Sequence, residues 1–564
     1  MENLQNNSSG AETQELSALA RVFGDFLKRK AIAEPESVAK IGEKLITARE
    51  AGNSFILLDD EEIATLNANK DLLTGPEALL VLEENRLYLF REHRNETTLA
   101  HAIASRLQQS PPENPFSAEK IRETFQQITS APGKPVSEPH ENQIAAVANA
   151  LSGNFSIITG GPGTGKTTII ATLVALERER DPDIIIEIAA PTGKAAELLS
   201  AGLEQAFPRH PVSARTLHSL FRARPGTGKF EKNSADPLEC DLLIVDECSM
   251  ISLDVAAKMF NGLRPETRVV LSGDHRQLEA VGSGAVLSSL LTFVADNSPG
   301  AEKLKKAGVE LTHNYRSTLA PVIQELAADI RREMEIELLC QKITGAASAN
   351  YAFKKADKNT GNELLKEASE HWKELPKICS EITEESVNKA FAKLNSFRIV
   401  TAARTGQEGC VKLNERICEA LGINSLHAPG SALLITQNCR RTNLSNGDVG
   451  VVFADRENGG VKVCFKDHPE HFSFYDLPAF ESAFAMTVHK AQGSGFAEVC
   501  FPMPTKETPL LTRELFYTAL TRAAVKITIY GTSEMVRAAL KNKSCRATTL
   551  AERIIEELPD TYEN

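Results

Sequence analysis

The chain has 564 residues, 42% hydrophobic and 24% charged, with a formal net charge of −12 and ten cysteines. That length exceeds one hydrophobic core and implies about three or four domains of ordinary globular composition. No run approaches the roughly 18 apolar residues of a membrane span, no C-x-x-C pair suggests zinc or disulfides, and the acidic balance argues against indiscriminate polyanion binding while permitting a local basic groove.

Residues 1–14 are acidic and polar without an apolar core, so they read as a tail rather than a signal or transit peptide. With scattered cysteines, this points to a reducing cytoplasm. Residues 15–110 form a first unit: helical patterns surround "EALLVLEENRLYLFR", in which Glu83, Glu84 and Asn85 separate two apolar runs as in a hairpin. Residues 111–136 are a linker, "QQSPPENPFS" and "SAPGKPVSEPH" flanking one short helix.

From 137 the pattern changes. Ile144, Val147, Ala148 and Leu151 stand at helical spacing, and four short apolar runs follow: "FSIITG", "DIIIEIAAP", "DLLIVDE" and "TRVVLSGD". Continuous apolarity predicts parallel strands covered on both faces, with ligands at their carboxyl ends. A second set, "FRIVTAA", "AEVCFP" and "VKITIYG", repeats the pattern, and "VGVVFADRENGGVKVCF" alternates as an antiparallel hairpin turning at Asn-Gly-Gly. Two α/β domains, 137–335 and 336–545, with a small β insertion in the second, are the simplest reading. Residues 340–395 read as helical, and 546–564 as a final helix and tail.

The chemistry begins at "GGPGTGKT". Gly160, Gly161, Pro162, Gly163, Thr164 and Gly165 lie between a strand and a helix, so their backbone N–H groups can cradle phosphates. Lys166 would reach the β- and γ-phosphates of ATP, Thr167 would ligate Mg²⁺, and Thr168 completes the loop. "PGTGK" at 225–229 lacks the first glycine and follows no strand, so it is rejected. "LLIVDE" ends a buried strand in two carboxylates, which need a partner. Asp246 would hold Mg²⁺ directly or through water, and Glu247 would polarise the attacking water. Gln277 in "GDHRQL" can donate and accept, as a γ-phosphate sensor must. Arg316 in "NYRS" and Arg522 in "YTALTRA" each read as a surface arginine or as a stabiliser of the transferring phosphoryl group.

"GGPGTGKTT", "APTGKAA", "TLHSLF", "IVDECSM", "GDHRQL", "LTHNYRS", "TVHKAQGSG" and "LFYTALTRA" stand in the order of the superfamily 1 helicases and resemble most the RecD family, the α subunits of exodeoxyribonuclease V. The resemblance runs from about 137 to 531, and more weakly through "LLVLEENRLYLFREHRNETTLAHAI". It implies an α/β fold of two RecA-like P-loop motor domains with parallel sheets, a small β-barrel at about 428–480, a strand-separating pin at about 222–238, and an α+β N-terminal domain that docks on a partner. It implies 5′→3′ translocation on single-stranded DNA, entry at duplex ends, and RecB- and RecC-like partners in double-strand break repair. It also implies that Gln143 reads adenine and that Gln492 and Gly493 stand at the nucleotide cleft. Thr192, Thr216, His218, Thr401, Arg404, Thr487, His489 and Ser494 would contact the strand, those of the second domain contacting it or relaying to ATP. Phe221, Phe230 and Phe496 are candidates for base stacking or for core packing. The family commonly has an acidic residue after the serine of "TVHKAQGS"; here Gly495 stands there. A free-standing helicase, a regulatory subunit with a vestigial ATPase, and a nuclease are the alternatives, the last without a carboxylate cluster outside the motor to support it.

Overall fold

The computed structural model describes residues 16–75, 78–130, 138–208, 211–224, 226–292, 299–315, 320–439, 441–457, 459–466 and 468–558. The expected tail at 1–14 and part of the linker lie outside them. Ser17 caps the first helix, Ala18–Lys30, accepting from the Ala20 N–H at 3.0 Å. That helix packs on Pro35–Glu50, and a three-stranded antiparallel sheet follows, with Arg86–Leu89 between Phe55–Leu57 and Leu80–Glu83. The expected hairpin is present: Glu83 faces Arg86, and Glu84 takes φ 54° in the turn. The apolar residues of both layers, among them Leu27, Ile41, Leu45, Leu80 and Leu87, form one small core.

This unit does not close on itself. Its last helix, Phe90–Gln108, carries Leu99, Ala100, Ile103 and Ala104 on one face. That stripe joins the core of the next domain with Phe260 and Leu263, and buried Arg106 donates to the Thr267 and Arg264 carbonyls at 2.8 Å each.

The first α/β sheet has six strands, all parallel, in the order Arg215–Thr216, Ile186–Ala190, Leu242–Val245, Arg268–Gly273, Phe155–Gly160, Gly308–Leu311. Side-chain alternation divides its central strands between two cores. Ile157, Leu243, Val245 and Val269 face one, while Ile158, Leu242, Ile244 and Val270 face the other. Burial on both sides explains why these runs read as continuously apolar.

The second sheet orders Ala347–Ser348, Tyr351–Lys355, Ala523–Gly531, Phe496–Pro502, Phe397–Thr401 and Ala485–Thr487, parallel except for the first edge pair. One expectation is corrected here. Residues 340–395 are not helical throughout: Tyr351–Lys355 is a strand beside Ala523–Gly531. It is short, only Tyr351 of its five residues is buried, and its last two are exposed lysines, so it lacks the continuous apolarity of its neighbours. Ala347–Ser348 is a second short strand, most of the rest is helical, and Trp372 packs on Phe397 and Phe484 with ring centroids 5.2 and 4.9 Å away.

Within the second domain, five antiparallel strands run in the order His471–Phe472, Val461–Phe465, Val449–Ala454, Ala432–Ile435, Phe480–Ser482, around Leu433, Ile435, Val452, Val463 and Phe465. Gly459 and Gly460, both at positive φ, turn the expected hairpin.

Candidate active site

The fully buried strand Phe155–Gly160 delivers the chain to a loop in which Gly163 and Gly165 take φ 86° and 85°, before the helix Lys166–Arg180. Side chains are excluded here by packing as well as by φ. A Cβ on Gly165 would lie 2.6 Å from Gln143 Nε2, and one on Gly161 would lie 2.9 Å from the Tyr517 hydroxyl and 3.1 Å from Arg331 Nη1. Lys166 Nζ donates to the Gly160 carbonyl at 2.7 Å, folded along the cradle that phosphate oxygens would enter.

Gln143 departs from expectation. It is 2% exposed, its Nε2 donates to the Thr164 carbonyl at 3.0 Å, and its Oε1 accepts from the Tyr315 hydroxyl at 2.5 Å and the His140 N–H at 3.0 Å. A carboxamide so engaged braces the loop and has little capacity left to read a base. Asn314 and Tyr315 add a second brace, the former donating to Pro162 O and the latter through its N–H to Gly163 O, both at 2.9 Å. Arg316 lies outside the described residues.

Opposite the loop, Asp246 accepts from the Ser272 hydroxyl at 2.7 Å. Glu247 follows at φ 54°, which turns it out of the strand direction. Burial, then the neighbouring Asp246, push its carboxyl above the usual range against the pull of Lys166 and Arg522. Asp274 goes the other way. Burial would raise it, but Lys166, Arg331 and the Tyr517 hydroxyl at 2.9 Å outweigh that and hold it ionised. By donor type, the Thr167 hydroxyl and the Asp246 carboxylate with the Lys166 cation fit a nucleotide with a hard divalent cation.

Besides the Tyr517–Asp274 bond, the second domain reaches across at further points. Arg522 Nη2 donates to Gln277 Oε1 at 3.3 Å and its Nη1 to the Ser494 carbonyl at 3.0 Å. Gln492 Nε2 donates to Leu278 O at 2.6 Å, and Leu278 N–H donates to the Thr518 hydroxyl at 2.8 Å. Gly493, at φ 69°, sits where a Cβ would be 3.5 Å from Thr192 Oγ1. "TVHKAQGSG" is therefore wedged between the two domains.

Thr192, Thr216 and Thr487 each cap a helix, accepting from the Ala195, Ser219 and Lys490 N–H groups. A groove of ≈ 460 Å³ between the domains is lined by Lys194, Lys466, Lys490, Asn443, Ser445 and Ser494. Two readings left open by the sequence narrow here. Thr401 is fully buried and donates to Ala403 O at 2.8 Å, so only a relay role remains to it. Phe221 and Phe496 are core residues, at 0% and 6% exposure, which leaves Phe230 among the stacking candidates. Phe230 stacks on Phe221 (5.6 Å) and meets His218 edge-on (5.7 Å), and Ala223 and Phe230 pair across the turn at 222–238. Arg404 is mostly exposed and pairs with Glu481 at 3.0 Å. The Arg331, Tyr517 and Tyr315 side chains were missed, since nothing in their local sequence marks them as facing a loop so distant in the chain.

Residues 143–283 match the AAA domain family and 482–530 the UvrD-like helicase C-terminal domain family. The RecBCD enzyme subunit RecD of Haemophilus influenzae is 30% identical, the alignment covering 85% of this chain and 82% of that one. That of Mycolicibacterium smegmatis is 34% identical over 73% and 75%. The chain belongs to the RecD family. As a RecD-type superfamily 1 protein it is an ATP-dependent DNA helicase. The ATP-dependent RecD2 DNA helicase of Deinococcus radiodurans is more distant, 26% identical over 92% of this chain and 66% of that one. A Bacteroides Pif1 bound to single-stranded DNA is a weak structural likeness, with TM-score 0.38 and 19% identity, covering 71% of this chain and 94% of that one.

Proposed function

We propose that this RecD-family chain steps 5′→3′ along single-stranded DNA by closing and reopening the cleft between residues 137–335 and 336–545. The observation that carries the reading is the crossing at Gln277 and Leu278, where Arg522, Thr518 and Gln492 of one domain meet the turn that follows a strand end of the other. Closure on ATP moves both lobes as units, because these contacts join a phosphate-facing turn to the segment that borders the DNA groove.

In this reading Lys166 leaves the Gly160 carbonyl for the β- and γ-phosphates. Glu247 accepts the proton of the attacking water, Gln277 orients that water, and Arg522 with Arg316 offsets charge on the transferring phosphoryl group. Thr167 and Asp246 would hold Mg²⁺, which neutralises phosphate charge when bound. Thr192, Thr216, Thr487 and Ser494, with Lys194 and Lys490, grip the phosphodiester backbone without reading bases. The turn at 222–238 splits the duplex, and the five-stranded insertion serves as the small barrel beside the strand. Residues 15–110 dock on RecB- and RecC-like subunits, exposing Leu19, Val22 and Ile32 at 50%, 62% and 73% for that purpose. Nuclease activity then belongs to a partner, and duplex ends are the entry point.

The test is Lys166→Gln in the purified chain. DNA-stimulated ATP hydrolysis and unwinding should both vanish with the melting temperature unchanged. Normal unwinding by this variant would refute the mechanism.

A further inference from the structure

After its phosphate-facing turn, the segment 277–282 is held from outside its own domain at nearly every residue. Arg522 holds Gln277, and Thr518 and Gln492 hold Leu278. The next residues are held by the C-terminal strap, residues 543–549, which runs back from the helix Ser533–Lys541 toward the first motor and the N-terminal unit. Arg546 Nε pairs with Glu279 at 2.8 Å, and its Nη1 donates to Ala280 O at 2.8 Å and Gly282 O at 2.9 Å. Both charged side chains are nearly buried, at 13% and 11% exposure. Glu279 also accepts from the Ser288 hydroxyl at 2.5 Å and the Ser544 hydroxyl at 3.3 Å.

The N-terminal unit seals the other side. Gly52 approaches so closely that a Cβ there would be 2.5 Å from Arg546 Nε, and the Gly284 N–H donates to Gly52 O at 2.9 Å. Strap and unit are tied directly, with Ser54 N–H donating to Ala547 O at 2.8 Å and Ala547 N–H to Asn53 Oδ1 at 2.7 Å. One planar guanidinium thus closes three bonds on four consecutive residues, beginning two positions past Gln277.

We infer that Arg546 is a positioning residue for ATP hydrolysis: through Glu279 and two carbonyls, the strap fixes where Gln277 stands when the cleft closes. The inference rests on the role of Gln277 proposed above. Physically, removing one partner of a buried charge pair strands the other and forces the backbone to rearrange. A catalytic group displaced by about 1 Å can cost on the order of 100-fold in rate. Lysine retains the charge but not the fork, so it can hold Glu279 or a carbonyl but not all three acceptors.

Full-length Arg546→Ala, Arg546→Lys and Gln277→Ala are compared with the parent for single-stranded-DNA-stimulated turnover across ATP concentrations, and for melting temperature. Expected for Arg546→Ala is a kcat lower by about 10-fold or more with KM for ATP changed less than about threefold, given the displacement argument. Arg546→Lys should recover part of kcat. Parent-like kcat in Arg546→Ala beside a slow Gln277→Ala overturns the inference alone. A parent-like Gln277→Ala overturns the reading of Gln277 and the inference with it. Equal kcat losses in both Arg546 variants, tracking lost melting cooperativity, reduce Arg546 to a structural role and also overturn it. Should Arg546→Ala fail to fold, the kcat-against-KM split of Arg546→Lys decides.

Discussion

The Gln143 carboxamide holds the P-loop from below through the Thr164 carbonyl and is itself held by Tyr315 and His140. Gln143→Ala would leave the buried Thr164 carbonyl without its side-chain donor, at about 1–3 kcal/mol for an unsatisfied buried group, while the His140 N–H and the Tyr315 hydroxyl keep each other at 3.1 Å. The loss falls on the loop that receives phosphates, and phosphates are common to all nucleotides. KM for ATP and for GTP should therefore rise together, by about 30-fold at the middle of that range. A base-reading glutamine would give a different pattern, raising KM for ATP while leaving GTP unchanged. Steady-state ATPase and GTPase of the one variant separate the two. The resemblance to the family made Gln143 a candidate; the direction of its amide depends on Tyr315, 172 positions later.

At the scale of elements, the turn at 222–238 offers a separable test. Ala223 and Phe230 pair, Phe230 stacks on buried Phe221, and the Arg224 N–H donates to Lys229 O at 2.8 Å. Replacing 224–229 with a short Gly-Ser turn keeps that base intact. Single-stranded-DNA-stimulated ATP hydrolysis should persist within about twofold, because surface changes away from the core cost little, while unwinding of a forked duplex falls steeply. Unwinding that survives would remove the pin role. The elements legible in the sequence share a property: their signal is local. The four runs of the first sheet are apolar because each is covered on both faces, and the 449–465 hairpin divides its side chains between its own small core (Val452, Val463) and that of the second motor (Val451, Phe453, Cys464). Tyr351–Lys355 was illegible because an edge-side strand needs few apolar residues, and the identity of its neighbour, Ala523–Gly531, is set some 170 residues away. The site divides likewise. The P-loop, Asp246, Glu247 and Gln277 announce themselves by spacing at strand ends, whereas Arg331, Tyr517 and Arg546 act only through tertiary approach.

At the scale of the whole molecule, the chain returns to where it started. After the second motor, the helix Leu550–Glu557 packs on Phe90–Gln108 and buries Leu550, Ala551, Ile554 and Leu558, each at 4% exposure or less, in the first motor's core. Its polar side locks onto the N-terminal hairpin. Arg553 pairs with Glu83 and approaches Glu96, Arg86 pairs with Glu552 at 2.8 Å, and the Tyr88 and Thr549 hydroxyls meet at 3.1 Å. Ending the chain at Thr549 removes three large aliphatic side chains worth about 1.5–3 kcal/mol each when fully buried. It also exposes the stripe of Leu99 and Ile103. The sum is comparable with the roughly 5–15 kcal/mol that holds a domain folded. The Arg86–Glu552 pair, 31% and 30% exposed, adds little, whereas loss of Arg553 takes a cation from fully buried Glu96 and adds to the apolar loss. The truncated chain should therefore melt well below the parent, with the first motor unfolding before the second. Ile554→Ala should show a graded version, about 2–5 kcal/mol for a buried Ile→Ala change. Thermal melts and limited proteolysis of both variants check this. A single unchanged transition in the truncated chain would mean that the first motor is complete without its C-terminal helix, and that the return of the chain tethers the N-terminal hairpin without stabilising the motor.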